Sequence, residues 1–74
     1  MKRVSELSIG QEAVVDKVLA KEPVKGRLQS MGILKGAKIK VLAHTLAKET
    51  WDVVVNGTKV ALREEEANDI VVKN

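Results

Sequence analysis

The stretch Trp51-Asp52-Val53-Val54-Val55-Asn56-Gly57-Thr58-Lys59-Val60-Ala61-Leu62-Arg63 decides the fold. Asn56-Gly57 lies between two β-rich runs and predicts a two-residue type I′ turn, because both central positions of that turn need φ > 0. A two-residue loop sets Val55 opposite Thr58, Val53 opposite Val60 and Trp51 opposite Leu62. Those six side chains share one face, and five of them are apolar. The other face carries Asp52, Val54, Lys59, Ala61 and Arg63. Turn chemistry and apolar pattern therefore specify the same register, and a one-residue slip would turn the whole apolar set to water.

Working outward, Ala37-Lys38-Ile39-Lys40-Val41-Leu42-Ala43 opens with clean alternation and predicts a strand with Ala37, Ile39, Val41 and Ala43 on one face. Before it, Pro23 begins the one helical segment, since a first-turn position has no need of the missing N–H. Val24, Leu28 and Met31 recur at i, i+4 and i+7 and form its buried stripe. Gly32 follows as a left-handed stop, and Ile33-Leu34-Lys35-Gly36 is a turn with Gly36 free to take φ > 0. Ala13–Val18 forms an earlier strand, preceded by an entry arm in which Val4, Leu7 and Ile9 close one end of a core. Glu64–Asp69 is a single helical turn whose acids are solvated, and it feeds a last strand at Ile70-Val71-Val72. Five short strands and one helix predict a mostly β, closed or half-closed barrel, an architecture that removes exposed edges.

Composition excludes several classes. The chain has 74 residues, room for one domain over 1–74 and a modest core. It has no cysteine, so neither disulfides nor thiolate metal sites support the fold. No apolar run approaches the ~20 residues that span a bilayer, and the charged opening Met-Lys-Arg-Val-Ser-Glu is no secretory leader. The expected location is the cytoplasm, with contact to a membrane only through a partner. The net charge of +3 is uneven. Lys21, Lys25, Arg27, Lys35, Lys38 and Lys40 face only Glu22 in their stretch, which is either a solvated face or a surface for an acidic partner.

The residues supply little chemistry. His44 is the single histidine, and His44 with Glu49, or with Asp52 as well, is the one conceivable ligand set for a ferrous ion. A strand-end histidine near the surface is the simpler reading. Ser5, Ser8 and Ser30 have no base at motif spacing. No glycine belongs to a phosphate-binding loop. No catalytic residue and no cofactor is expected.

The order of these features resembles the FeoA family of ferrous-iron transport accessory proteins along nearly the whole chain. Leu7 and Gly10 with the Ala13–Val18 strand resemble the family's opening. Arg27-Leu28-Gln29-Ser30-Met31-Gly32-Ile33-Leu34-Lys35-Gly36 resembles its most recognisable motif. Gly57–Arg63 resembles its hairpin return strand, and Glu65-Glu66-Ala67 with Ile70-Val71-Val72 its closing turn and strand. Lys35 stands where the family often has Pro, and Thr45–Glu49 lacks the usual Pro and Gly. The resemblance implies a small SH3-like five-stranded barrel with one short α-helix and a short helical turn before the last strand. It also implies a non-enzymatic accessory role beside FeoB, a membrane ferrous-iron transporter with a cytosolic GTPase domain.

A docking surface is expected at the helix end, on Arg27, Met31, Ile33, Leu34 and Lys35, with at least one of Ile33 and Leu34 exposed. Gly32, Gly36, Asn56 and Gly57 are structural turn positions. Two alternatives follow from the fold. One is a basic nucleic-acid-binding module built on residues 21–40, disfavoured because single-strand recognition needs stacking aromatics and Trp51 belongs to the apolar hairpin face. The other is the SH3-like domain of a metal-dependent repressor, against which Met1 falls at the domain's own opening.

Overall fold

The computed structural model describes residues 1–73. Its elements are β1 (Lys2–Arg3), a 3-10 turn (Val4–Glu6), β2 (Glu12–Val18), α1 (Val24–Ser30), β3 (Lys38–His44), β4 (Thr50–Val55), β5 (Thr58–Arg63), α2 (Glu64–Asn68) and β6 (Ile70–Lys73). One antiparallel sheet in the order β1-β6-β2-β3-β4-β5 carries the fold. There are six strands rather than five. The added one is the two-residue β1 at the edge, where Lys2 and Arg3 of the entry arm pair with Val72 and Val71.

The hairpin adopts the expected register, with Val55 opposite Thr58, Val53 opposite Val60 and Trp51 opposite Leu62. Asn56 and Gly57 take φ of 49° and 84°, as a type I′ turn requires. Trp51, Val53, Val55, Val60 and Leu62 are buried, and Thr58 at the turn is exposed.

The core collects at least one buried apolar side chain from β2 through β6, from both helices and from the entry arm. Val4 and Leu7 are buried there as expected, whereas Ile9 is exposed. Leu28 is the fully buried member of the α1 stripe, and Val24 and Met31 are half-buried against the cluster. Pro23 sits just before α1 as its N-cap rather than as its first residue.

Two bulges account for the departures from simple alternation. One lies between Val15 and Lys17 where β2 pairs with β6. The other lies between Val41 and Ala43 where β3 pairs with β4. A bulge inserts an unpaired residue and re-aims those that follow. Ala43 is therefore exposed, although strict alternation would place it inside with Ile39 and Val41.

The hairpin supplies a test of the fold. A Cβ at Gly57 would meet no atom within 4 Å, so Gly57→Ala isolates the backbone cost of the left-handed conformation. That cost is ~1 kcal/mol. Urea unfolding followed by Trp51 fluorescence is expected to show a lower midpoint with an unchanged slope. An unchanged midpoint would mean that the turn does not set the register.

Candidate functional site

The helix end is built by main-chain hydrogen bonds. Met31 caps α1, and Gly32 follows with φ of 93°. The Ile33 N–H donates to the Leu28 carbonyl at 3.1 Å and the Gly32 N–H to the Gln29 carbonyl at 3.0 Å. Those two bonds are the Schellman pattern, which satisfies carbonyls that a helix end would leave unpaired. Its usual apolar accompaniment is present, since Leu28 and Ile33 are both fully buried in the core cluster. A Cβ at Gly32 would lie 3.8 Å from Val55 Cγ1 and 3.9 Å from Asn56 Nδ2, so the helix end abuts the hairpin tip.

The following turn is Leu34-Lys35-Gly36-Ala37, one residue later than the sequence suggests. The Ala37 N–H donates to the Leu34 carbonyl at 2.9 Å, and Gly36 takes φ of 90°. A positive φ at the third position marks type II geometry, which favours Pro at the second position, here Lys35. The turn is fastened to β2 on both sides of one residue. The Gly36 N–H donates to the Val15 carbonyl at 2.8 Å, and the Val15 N–H donates to the Ala37 carbonyl at 2.9 Å.

This geometry separates the five residues singled out from the sequence. Ile33 is fully buried and belongs to the core, not to the surface. Leu34 is 49% exposed at the start of the turn. Lys35 is exposed beside it, and Met31 is half-buried.

Arg27 points elsewhere, into an ion pair with the Glu66 carboxylate of α2. The side-chain exposures are unequal, 58% for Arg27 and 6% for Glu66. The other oxygen of Glu66 accepts the Arg63 N–H at 2.8 Å, the backward half of a capping box at the start of α2. Glu66 therefore corrects the reading of 64–69 as a wholly solvated acidic turn. It is a buried carboxylate that joins α2 to α1. Arg63-x-x-Glu66 has capping-box spacing, but the cap residue is Arg rather than Ser or Thr, so the signal was weak. Between the two helices lies an open cleft of about 320 Å³ with Arg27, Arg63, Glu65 and Asp69 among its lining residues.

His44, Glu49 and Asp52 do not come together as a three-residue ligand set. The His44 ring packs on Trp51 with centroids 4.6 Å apart. Its Nδ1 lies 2.9 Å from the Thr45 carbonyl, which can only accept, so Nδ1 carries the proton. Asp52 pairs with Ala43 while His44 pairs with Trp51, which puts Asp52 and the buried Trp51 on opposite faces. Glu49 lies in the exposed loop, where its N–H donates to Thr45 Oγ1 at 2.9 Å. Among the described residues, no three or more His, Asp or Glu side chains group as metal ligands. Trp51 is 1% exposed, so its ring is not presented for base stacking. Among the described residues, no helix is long and apolar enough to cross a membrane.

The FeoA domain family matches residues 2–74. The chain belongs to that family. It is 33% identical over 69 residues to an Fe(2+) transport protein A of Campylobacter jejuni, covering 93% of each chain. The solution structure of the FeoA protein of Chlorobium tepidum matches with a TM-score of 0.91 and 36% identity, over 97% of this chain and 69% of that one. The zinc-complexed FeoA of Stenotrophomonas maltophilia, described as a prokaryotic SH3 domain protein, matches with a TM-score of 0.87 and 32% identity, over 99% and 91% of the two chains. The barrel is thus SH3-like, as the family resemblance implied. A manganese-dependent transcriptional repressor shares the fold at a TM-score of 0.87, with 21% identity and 41% of its chain covered. That likeness concerns the fold alone.

The Arg27–Glu66 pair gives this FeoA-family chain a second test. Arg27→Ala leaves a buried carboxylate without its cation, and an unpaired buried charged acceptor costs ~1–3 kcal/mol; the exposure of Arg27 puts the expected loss at the low end of that range. Glu66→Gln keeps an acceptor for the Arg63 N–H, so the double variant is expected to recover part of the loss. Additive losses in a double-mutant cycle of unfolding free energies would mean that the two side chains are not coupled.

Proposed function

We propose that this FeoA-family chain is a non-enzymatic accessory protein of ferrous-iron uptake. It acts in the cytoplasm by binding the cytosolic part of a FeoB-type transporter through the end of α1 and the turn that follows. Several observations support this reading. The family match spans residues 2–74, and the curated relative in Campylobacter is named for Fe(2+) transport. The Stenotrophomonas FeoA was described as a candidate activating factor of bacterial ferrous iron transport.

The observation that carries the choice of surface is the division of labour between Ile33 and Leu34. Ile33 anchors the turn in the core, and Leu34 is left half-exposed at a place the backbone holds rigidly. A fixed aliphatic contact costs less ordering entropy on binding than a mobile one. Half-buried Met31 and exposed Lys35 belong to the same segment, whereas the Arg27 side chain is turned to the Glu66 carboxylate. Iron is the cargo of the transporter in this scheme, and nothing in the docking step requires the accessory chain to hold it.

The test separates docking from folding. Leu34→Asp is expected to weaken capture of this chain by the isolated cytosolic domain of a FeoB-type transporter about tenfold or more, as for a contact at the centre of an interface. Its melting temperature should stay near that of the parent. Ile33→Asp is expected to unfold the chain by burying a charge. Leu42→Asp, on the outer face of β3, serves as the control and should bind normally. Undiminished capture of a folded Leu34→Asp chain would remove this surface from consideration.

A further inference from the structure

The basic residues that cluster between 21 and 40 in the sequence are divided between two elements. Lys21, Lys25, Arg27 and Lys35 accompany α1 and its flanking turns, whereas Lys38 and Lys40 lie on β3. Lys38 and Lys40 alternate with the buried Ile39 and Val41, so they point away from the core. Strand register then places lysines from distant parts of the chain beside them.

Three cross-strand rows follow from the pairing. Lys73 of β6 stands opposite Val14 of β2, and Val14 stands opposite Lys38. In the next row, Glu12 is opposite Lys40, Lys40 opposite Val54, and Val54 opposite Lys59. On the far side, Lys17 is opposite Val71. Neighbouring strands are ~4.8 Å apart, and same-face residues along one strand ~7 Å apart, so these side chains occupy one continuous patch. Lys17, Lys38, Lys40, Lys59 and Lys73 are all exposed. The acids of these strands are Glu12, Asp16 at the β2 bulge and Asp52 further along β4. Among the described residues, none of the five lysines is in an ion pair.

We propose that this outer sheet face is a contact surface for an anionic lipid bilayer, used by the protein in its own right. The inference goes beyond docking to a transporter and does not depend on it. Four features select the partner. The bases that β2 to β6 contribute to the rows are all lysines, hydrated point charges on flexible stems rather than planar forks for bidentate recognition; Arg3, which extends the Lys17–Val71 row on β1, donates from its guanidinium to the Asn68 carbonyl. Half-buried Val14 and Val54 lie between the lysines, so the stems rest on aliphatic ground while the ammonium groups reach outward. The two depressions beside Lys38 measure about 220 and 160 Å³, below the ~300–1,000 Å³ of ligand pockets, and the depression of about 320 Å³ that Lys73 borders is otherwise lined by Met1, Lys2 and Val72 rather than by the lysine rows. No aromatic residue lies on these rows to stack on a base. Diffuse positive charge without a pocket or a stacking platform matches a sheet of lipid headgroups, whose attraction fades within a Debye length.

The experiment uses the full chain and vesicles, with no transporter present, so its failure leaves the docking proposal untouched. Vesicles of phosphatidylcholine with phosphatidylglycerol are compared with pure phosphatidylcholine in a flotation assay at low and high salt. Expected is flotation only with the anionic vesicles, and only at low salt. Lys38→Glu/Lys40→Glu is expected to reduce the partition coefficient about tenfold or more. Lys21→Glu/Lys25→Glu, an equal change in net charge placed beside α1, is expected to reduce it far less. Thermal melts check that both variants stay folded, and Lys59→Gln/Lys73→Gln is a milder substitute if the first pair does not. The proposal is overturned if wild-type chain does not float with anionic vesicles at low salt. Equal losses in the two charge-reversal pairs would overturn it as well, since net charge alone would explain them. So would binding to duplex DNA stronger than to the vesicles with the same dependence on Lys38 and Lys40.

Discussion

The hydrogen bonds on either side of Val15 hold the two halves of this molecule together. Its carbonyl accepts the Gly36 N–H, and its own N–H reaches the Ala37 carbonyl. That exchange starts the β2–β3 ladder, which continues as Val14 with Lys38, Ala13 with Ile39 and Glu12 with Lys40. It also fixes the end of α1, because the Schellman cap ends at Ile33 and only Leu34 and Lys35 lie between it and the fastened Gly36. Each neighbour of Val15 in this scheme needs something particular from the sequence. Gly32 and Gly36 supply positive φ, and Ile33 supplies the anchor that holds the intervening chain against Leu28. In a chain of this size, with no disulfide, a backbone clamp of this kind keeps a surface turn from becoming a mobile loop.

Legibility followed from how local the determinants were. The hairpin was readable because Asn56-Gly57 and the apolar alternation on both sides constrain the same register within thirteen residues. The α1 stop was readable because glycine at C′ is a chemical requirement, visible one residue past the helix. The two-residue β1 was hidden, since Lys2 and Arg3 become a strand only by pairing with Val72 and Val71 at the opposite end of the chain. Ala43 was misassigned for a related reason. A bulge is a disagreement between two strands, and one strand read alone carries no sign of it. The segment from Arg27 to Lys35 was readable as a helix end with a turn after it, but its geometry was not. Alternation is lost in a turn, so the roles of Ile33 and Leu34 depended on the clamp to Val15.

Glu66 shows the same limit in electrostatics. Among Glu64, Glu65 and Glu66 only the last is buried, and nothing in a run of three identical residues distinguishes it. Its place is set by two demands that converge in three dimensions. The start of α2 leaves the Arg63 N–H in need of an acceptor, and the Arg27 guanidinium of α1 lies across from it. One carboxylate meets both, with a separate oxygen for each. Burial of that carboxylate is tolerable because hydrogen bonding and charge pairing both offset its desolvation. The half-exposed guanidinium is the side of the pair open to solvent, so any partner that lands there meets a charge already partly neutralised.

The distribution of charge follows from the same architecture. An SH3-like sheet has one face committed to the core, so every strand that pairs well must send its alternate residues outward. Val, Ile and Leu, with Trp51, fill the buried inner positions of β3 to β5, and the outward positions are left free to vary without cost to packing. Lysine at 38, 40 and 59 uses that freedom, and it also protects strand surfaces from pairing with other chains. Protection alone does not account for the rows, because Lys38 and Lys40 lie in the middle of the sheet, where both edges are already paired. Lys17 and Lys73 are likewise on interior strands and also turn outward. No two of these lysines stand directly opposite, since their cross-strand partners are Val14, Val54, Val71 and Glu12, so their repulsion acts across an intervening strand and lowers stability only slightly. In a small core with a thin margin, a face that accepts this repulsion with few counter-charges is better explained by what it meets outside the protein than by what it does within it.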